Sequence, residues 1–336
     1  MLGLFNFLRR VIFHESKEQQ EWDAIDIDAV ITHVDSNDPI WRRERAMYAP
    51  NPATSTVNDI QGWRWESNDE AKYCIISMIR FAPWIRRIFL VVAYESQIPC
   101  WYAEMKRKCP KLNVVSHHDF YEKPDEDLPT FNSTSIEANL HRIPGLAEHF
   151  LYFNDDCFLG APVTKGHFLG KITTELYGTL PRGFPSVEDT GYLAACKNVN
   201  RMLDHMFPNA VGDQRPLLRH APQLQLKSVH IELRQKFPEE FRRTSASRFR
   251  SVCIHNTTAG LAEYVMVYTG KAKINNNETR YSQFFLTDSR DHNRKAFMYL
   301  LAQRPHFFNL QNAMRHQDPK AAADFKRFLE MYFFTH

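Results

Sequence analysis

Asn154, Asp155 and Asp156 stand side by side in a chain of 336 residues and offer three small oxygen-bearing side chains, two of them acidic. Such a set holds Mg²⁺ or Mn²⁺ while leaving positions for water and phosphate oxygens. Asp35-Ser36-Asn37-Asp38 is a second acidic turn, and on one sheet edge the two turns together can hold a metal and a nucleotide. Each alone reads equally as a turn that caps a strand. Ser67-Asn68-Asp69-Glu70 has the spacing of a capping box, in which Ser67 and Glu70 satisfy free N–H groups of a helix's first turn; the same N-terminus can receive phosphate. His220, in a basic neighbourhood between Arg219 and Pro222, is of a type that titrates near neutrality and serves as a general base. Arg248 and Arg250 can neutralise phosphate through forked hydrogen bonds. Residues 201–250 carry ten Lys/Arg against five Asp/Glu, which suits either an anionic ligand or a solvated helix face.

Elements that would position these residues are legible on either side of them. Asp28–Val34 is an apolar run ending in the first acidic turn, and a helix is expected from the Ser67 cap through Ile79, stopping near Ala82-Pro83. Strands follow at Arg87–Ala93, Leu112–His117 and His149–Phe153, the last running straight into Asn154. Between the last two lie an acidic loop, Asp119–Asp127, and a predicted helix over Thr134–Arg142 closed by Pro144-Gly145. Strands alternating with helices at this spacing predict an α/β fold whose mostly parallel, Rossmann-like sheet is flanked by helices. Ligands of open sheets of this kind bind beyond the carboxyl ends of the strands, where both acidic turns fall. Lys165 to about Pro216 reads as an irregular, substrate-facing insertion. Lys320–Phe334 reads as an amphipathic helix packing on the core through Ala323, Phe325, Phe328, Leu329 and Tyr332.

Composition narrows the class. With 43% hydrophobic and 24% charged residues the chain is globular. Forty-two basic against 39 acidic residues, a net charge of +3, exclude nucleic-acid binding as a whole-surface property. Six scattered cysteines without a C-x-x-C pair read as reduced thiols. No window reaches the roughly 20 apolar residues of a membrane span. The first residues, MLGLFNFLRRVIF, are broken by Arg9 and Arg10 and lack a cleavage site, so a cytoplasmic location is expected. Leu4, Phe5, Leu8, Val11 and Ile12 share one helical face, either a docking helix or a peripheral anchor on the inner face of the cell membrane. No Walker A loop, G-x-G-x-x-G after a strand, G-x-S-x-G elbow or Cys/His zinc spacing is present.

Four longer segments carry a family resemblance: DAVITHVDSNDPIW (28–41), RWESNDEAKYCIISMIRFAPWIRRIFLVV (64–92), LPTFNSTSIEANLHRIPGLAEHFLYFNDDCFLG (128–160) and RHAPQLQLKSVHIELRQKFPEEFRRTSASRFRS (219–251). In their order they resemble the conserved blocks of the Stealth family, which includes bacterial capsular polysaccharide phosphotransferases and the catalytic subunit of the lysosomal-enzyme N-acetylglucosamine-1-phosphotransferase. A weaker final block is HFFNLQNAM (306–314). The resemblance implies transfer of a hexose-1-phosphate, such as an N-acetylhexosamine-1-phosphate, from a UDP-sugar to a hydroxyl of an oligosaccharide or polysaccharide acceptor. The product is a phosphodiester and the leaving group is UMP.

By the same resemblance His220, Arg250 and Asp38 are catalytic, with His220 as base. Asp35, Asn68, Asp69, Asn132, Arg142 and Arg248 contact substrate, and Asp155 and Asp156 hold Mg²⁺ or Mn²⁺. The implied division is an amphipathic segment (1–22), a catalytic domain (23–265, insertion about 165–216) and a C-terminal helical extension (266–336). The chain departs from the family pattern at His33 and Ser36 in the first block and at Gln311-Asn312 in the last, where an acid is expected. Two rival readings remain open at this point, a metal-dependent glycosyltransferase releasing UDP and a non-catalytic sugar- or nucleotide-binding relative.

Overall fold

The computed structural model of the chain describes residues 21–49, 67–186, 189, 191–276, 280–314 and 318–334. The amphipathic face expected around Leu4–Ile12 lies outside the described residues. Strands are β1 (Ile27–Thr32), β2 (Ile88–Val92), β3 (Leu112–Ser116), β4 (His149–Phe153), β5 (Cys157–Leu159), β6 (Lys171–Thr179), β7 (Pro216–Leu218), β8 (Gln223–Leu226), β9 (Lys273–Asn275), β10 (Tyr281–Leu286) and β11 (Phe307–Asn312). The central sheet has the order β3-β2-β1-β4-β8, parallel except for the β4–β8 pair. Its strands are near-continuous apolar runs because both faces are covered, as parallel sheets require. Strand order reverses at β1, with β2 and β3 on one side and β4 on the other. A crevice therefore opens beyond the carboxyl ends of β1 and β4, the usual ligand position in such sheets.

The amino ends of the same strands are pinned by a buried charge. Asp28, fully buried in β1, accepts hydrogen bonds from Arg86 Nε (2.9 Å) and Nη2 (2.7 Å) and from the backbone N–H groups of Arg87 and Ala147. A carboxylate out of water is tolerable only when so saturated, and this one ties β1 to the approaches of β2 and β4.

Several elements differ from their expected form. The second helix starts at Glu70 rather than beside Ser67: Asp69 occupies the left-handed region at φ 65°, and Glu70 folds back to accept from the Asn68 backbone N–H and from Asn68 Nδ2 (3.0 Å). The helix expected over Thr134–Arg142 covers Ser133–Glu137, then tightens into a separate turn at Leu140–Arg142. Asn139 Nδ2 captures the Ser135 carbonyl at 2.9 Å, while the Asn139 N–H moves to Ile136. The segment 165–216, expected to be irregular, contains the nine-residue β6 and a 16-residue helix, Gly191–Met206. That helix buries Ala194, Ala195, Val199, Met202 and Leu203, a helical stripe that interspersed asparagines obscure in the sequence.

Beyond residue 266 strands accompany the expected helices. β10 pairs with β11, and β11 runs antiparallel to β5, the strand immediately after Asp156. The helix Pro319–Phe334 seals this side through Phe325, Phe328, Leu329, Tyr332 and Phe333, and the Phe158 and Phe308 rings stack 4.9 Å apart beneath it.

Candidate active site at the strand-order reversal

β4 delivers Asn154, Asp155 and Asp156 into the crevice, and the loop between β7 and β8 brings His220 against them. His220 Nε2 lies 3.1 Å from Asp156 Oδ1 and 3.4 Å from Asn154 Nδ2. The backbone is fixed as firmly as the ring. The His220 carbonyl accepts from Cys157 Sγ (3.5 Å) and Tyr281 Oη (3.3 Å), while Asn309 Nδ2 donates to the Asp156 carbonyl (3.0 Å). The His220 side chain is 34% exposed, so a substrate hydroxyl can reach the ring.

Charge in the crevice is unevenly compensated. Burial raises the Asp155 carboxyl well above the usual range, and the neighbouring Asp156 and Glu70 raise it further. Burial acts the same way on Asp156, but the His220 imidazolium beside it prevails and holds its pKa down. For His220 burial opposes the charge, but the carboxylate charge of Asp156 and the hydrogen bonds to Asp156 and Cys157 more than offset it, raising the pKa well above 6.5. Ligand atoms of Asp156, Cys157 and His220 all lie within 4.8 Å of one another. Burial pushes the Cys157 thiol up to about 12, so it stays protonated and the donors left are oxygen and nitrogen. Crowded carboxyls with one cationic neighbour and an oxygen-rich donor set fit a hard divalent cation.

Behind this group lies a buried relay that sequence reading missed. Glu137 Oε1 accepts from Tyr152 Oη (3.3 Å), Tyr152 Oη also reaches Asn154 Oδ1 (3.0 Å), and Asn154 in turn meets His220. Thr258 Oγ1 donates to the other Glu137 oxygen. Burial raises the Glu137 pKa, against the pull of Thr258, Arg250 and His220. The available signals were an acid on the buried side of a short Ser/Thr-rich helix and a tyrosine in the strand that leads into Asn154.

Other candidate residues fall into distinct places. Arg250 Nη2 reaches Ser133 Oγ at 3.3 Å and faces Glu137 electrostatically, at the rim of the same group. Asn132, 1% exposed, spends its amide on the Ser247 (3.0 Å) and Phe249 (3.4 Å) carbonyls, and so braces the loop that carries Arg250. Arg248 bonds the Glu126 and Leu128 carbonyls and lies 4.6 Å from the Tyr48 ring centroid. Asp38 caps the helix Pro39–Tyr48 through Ile40 (2.7 Å) and Trp41 (3.0 Å). Burial opposes its ionisation, yet hydrogen bonds from Ser96 and those N–H groups hold its pKa below the usual range. Asp35 accepts from the Asn37 N–H at 2.8 Å in a local turn. Between the acidic turns burial pushes His33 down to about 4, against the charges of Asp35 and Asp69. Asn68 is engaged with Glu70, and Asp69 accepts from Lys326 Nζ (3.0 Å) of the C-terminal helix. Arg142 is not brought to this group; it is exposed, with Nε on the Phe120 carbonyl.

An α/β fold with an acidic and histidine cluster at its strand-order reversal is the setting in which two family models match. Residues 64–176 match Stealth protein CR2, conserved region 2, and residues 219–255 match Stealth protein CR3, conserved region 3. The chain belongs to the Stealth family: it is 31% identical over 320 residues to the capsular polysaccharide phosphotransferase fcs1 of Haemophilus influenzae, an alignment covering 92% of this chain and 84% of that protein. It is 38% identical to the exopolysaccharide phosphotransferase SCO6021 of Streptomyces coelicolor, with 80% of this chain and 48% of that one aligned. For CpsY of Mycobacterium tuberculosis, named an exopolysaccharide phosphotransferase, identity is 37% with 74% and 46% aligned. The chain thus spans about half the length of these two longer relatives. Among solved structures, the galactosyltransferase LgtC aligns at TM-score 0.41 and 10% identity, covering 90% of this chain and 95% of that one. Mouse xyloside xylosyltransferase 1 aligns at TM-score 0.38 and 10% identity, covering 85% and 97%. No described helix is long and apolar enough to cross a membrane.

Proposed function

We propose that this chain transfers a hexose-1-phosphate from a UDP-sugar to a sugar hydroxyl in capsular or exopolysaccharide synthesis, releasing UMP. The observation that carries this reading is the hydrogen-bonded His220–Asp156 pair at the carboxyl end of β4, in a chain of this family. With its pKa raised, His220 acts as base only after losing its own proton; the neutral imidazole then takes the acceptor's proton, and Asp156, hydrogen-bonded at Nε2, stabilises the imidazolium that forms. The freed oxygen attacks the sugar-bearing phosphorus, and the bond from that phosphorus to the bridging oxygen breaks with UMP as leaving group. Arg250 supplies forked donors to the equatorial phosphoryl oxygens. A divalent cation, Mg²⁺ or Mn²⁺, held by Asp155 and Asp156 would neutralise charge on the same oxygens when bound. The relay from Glu137 through Tyr152 orients Asn154 and hence the His220 ring. Asn68 and Asp69 contact the donor.

Nucleotide product analysis tests the reading. Protein with Mg²⁺ or Mn²⁺, a panel of UDP-sugars and an oligosaccharide acceptor should give acceptor-dependent UMP and a new phosphodiester. Release of UDP instead would assign glycosyl transfer and refute this reaction.

A further inference from the structure

The twofold excess of basic over acidic residues in 201–250 is only partly absorbed by the site. Arg215 pairs with Asp204, Arg234 with Glu122, and Arg242 with Glu126 and Asp127. Arg201 and Lys236 are exposed and converge with His205, and with Arg243 that is ion-paired to Glu240, on one groove of about 680 Å³ whose single acid is that Glu240. Phe184, 77% exposed, forms part of its wall, with the Arg201 guanidinium 4.4 Å from its ring centroid. A groove with three cations against one acid, and an open aromatic face, complements an anion that also carries apolar CH surface.

Val252 and Cys253, just after Arg250 in the chain, line this groove. The helix Gly191–Met206 begins hard against Arg250, where a Cβ on Gly191 would lie 2.5 Å from Arg250 Cβ. At 1.5 Å rise per residue, Asn198 and Arg201 stand roughly 10 and 15 Å farther along the helix, a few sugar units away. Asn198 Nδ2 holds the Val252 and Ile254 carbonyls, both at 2.8 Å, so the loop that carries Arg250 becomes the near wall of the groove.

We infer that this groove is the subsite for the acceptor chain, and that it selects a saccharide already bearing phosphodiesters. The inference rests on the function proposed above, because a chain built by sugar-phosphate transfer presents one negative charge per linkage. Arg201, Lys236 and Arg243 take those charges, and the Phe184 ring takes a sugar face.

The test uses the full chain and two fluorescent probes of equal length, a hexosamine tetramer joined by phosphodiesters and a neutral, glycosidically linked one. Wild type should bind the phosphorylated probe at least tenfold more tightly. The variant Arg201→Glu/Arg243→Glu should lose at least tenfold in affinity for that probe, with the neutral probe and Tm unchanged. The exposed single change Lys236→Glu should act in the same direction by a smaller factor, so the result does not depend on the double variant folding. Equal binding of the two probes by wild type, or unchanged binding of the phosphorylated probe by both variants, overturns the inference. Acceptor-dependent UMP release with the phosphodiester-linked tetramer is followed in parallel; its absence in wild type would sink the proposed reaction, while the probe affinities decide the groove by themselves.

Discussion

At the scale of single residues the crevice is a chain of dependencies. His220→Ala should lower the rate of acceptor-dependent UMP release by about 10² to 10⁴ with little change in Tm, as removal of a general base does. Near wild-type turnover would remove His220 from the mechanism. Tyr152→Phe tests the relay: it strips Glu137 and Asn154 of a shared partner inside the fold, which costs on the order of 1–3 kcal/mol. Denaturant unfolding should register that loss, and kcat should fall while KM stays. If KM alone moves, the relay positions substrate rather than His220. Asn154, Asp155, Asp156 and His220 stood out in the sequence because their types and place at a strand end carry chemistry. Glu137, Tyr152 and Asn309 did not, because their role arises only when strands and loops distant in sequence converge. Asn132 and Arg248, read as substrate contacts, each also bond backbone carbonyls, a role the sequence does not display.

At the scale of elements two glycines separate assembly from chemistry. A Cβ at Gly160 would meet the Pro305 carbonyl oxygen at 2.3 Å and Tyr332 Oη at 2.7 Å, so Gly160→Ala must push β5 away from β11 and loosen Asn309 from the Asp156 carbonyl. Tm and activity should drop together. Gly191→Ala instead displaces Arg250, whose Cβ cannot swing aside, and should cut kcat by about tenfold or more with a small change in Tm, in line with the loss of an electrostatic donor. Unaltered kcat in Gly191→Ala would exclude Arg250 from the transition state. The four parallel strands were legible because buried strands are short apolar runs bounded by turns. β10, β11 and the helix Gly191–Met206 were not, since their polar residues hide the period and their pairing partners lie far along the chain.

At the scale of the whole molecule, buried histidines set the response to acid. Burial lowers His33 to about 4, His117, His230 and His255 to about 3, and His141 to about 2, from an ordinary 6.5. Each is neutral in the folded chain and protonated below 6.5 in the unfolded one. Their stability contribution is complete above pH 6.5 and shrinks as pH falls toward the folded values, by about 1.4 kcal/mol per unit for each fully titrating group. Glu263 acts oppositely: burial raises it to about 7 from 4.5, so the folded chain holds its proton and loses stability as pH rises through that interval. Asp155 and Glu137, also raised by burial, act in the direction of Glu263, so Tm should fall between pH 7 and 5 through the histidines, and more steeply in Glu263→Gln, where one of these offsets is gone. A flat profile would contradict the burial of these imidazoles. The junction of β5 with β11 has a consequence in time as well as in space. Asp156 emerges from the ribosome long before Asn309, which holds its carbonyl. At roughly 5 to 20 residues per second the nascent chain waits on the order of ten to thirty seconds for that partner. A translation product cut short before β11 would carry every acidic ligand of the crevice yet lack the strand that sets their position, so competence arrives only once β11 has been made.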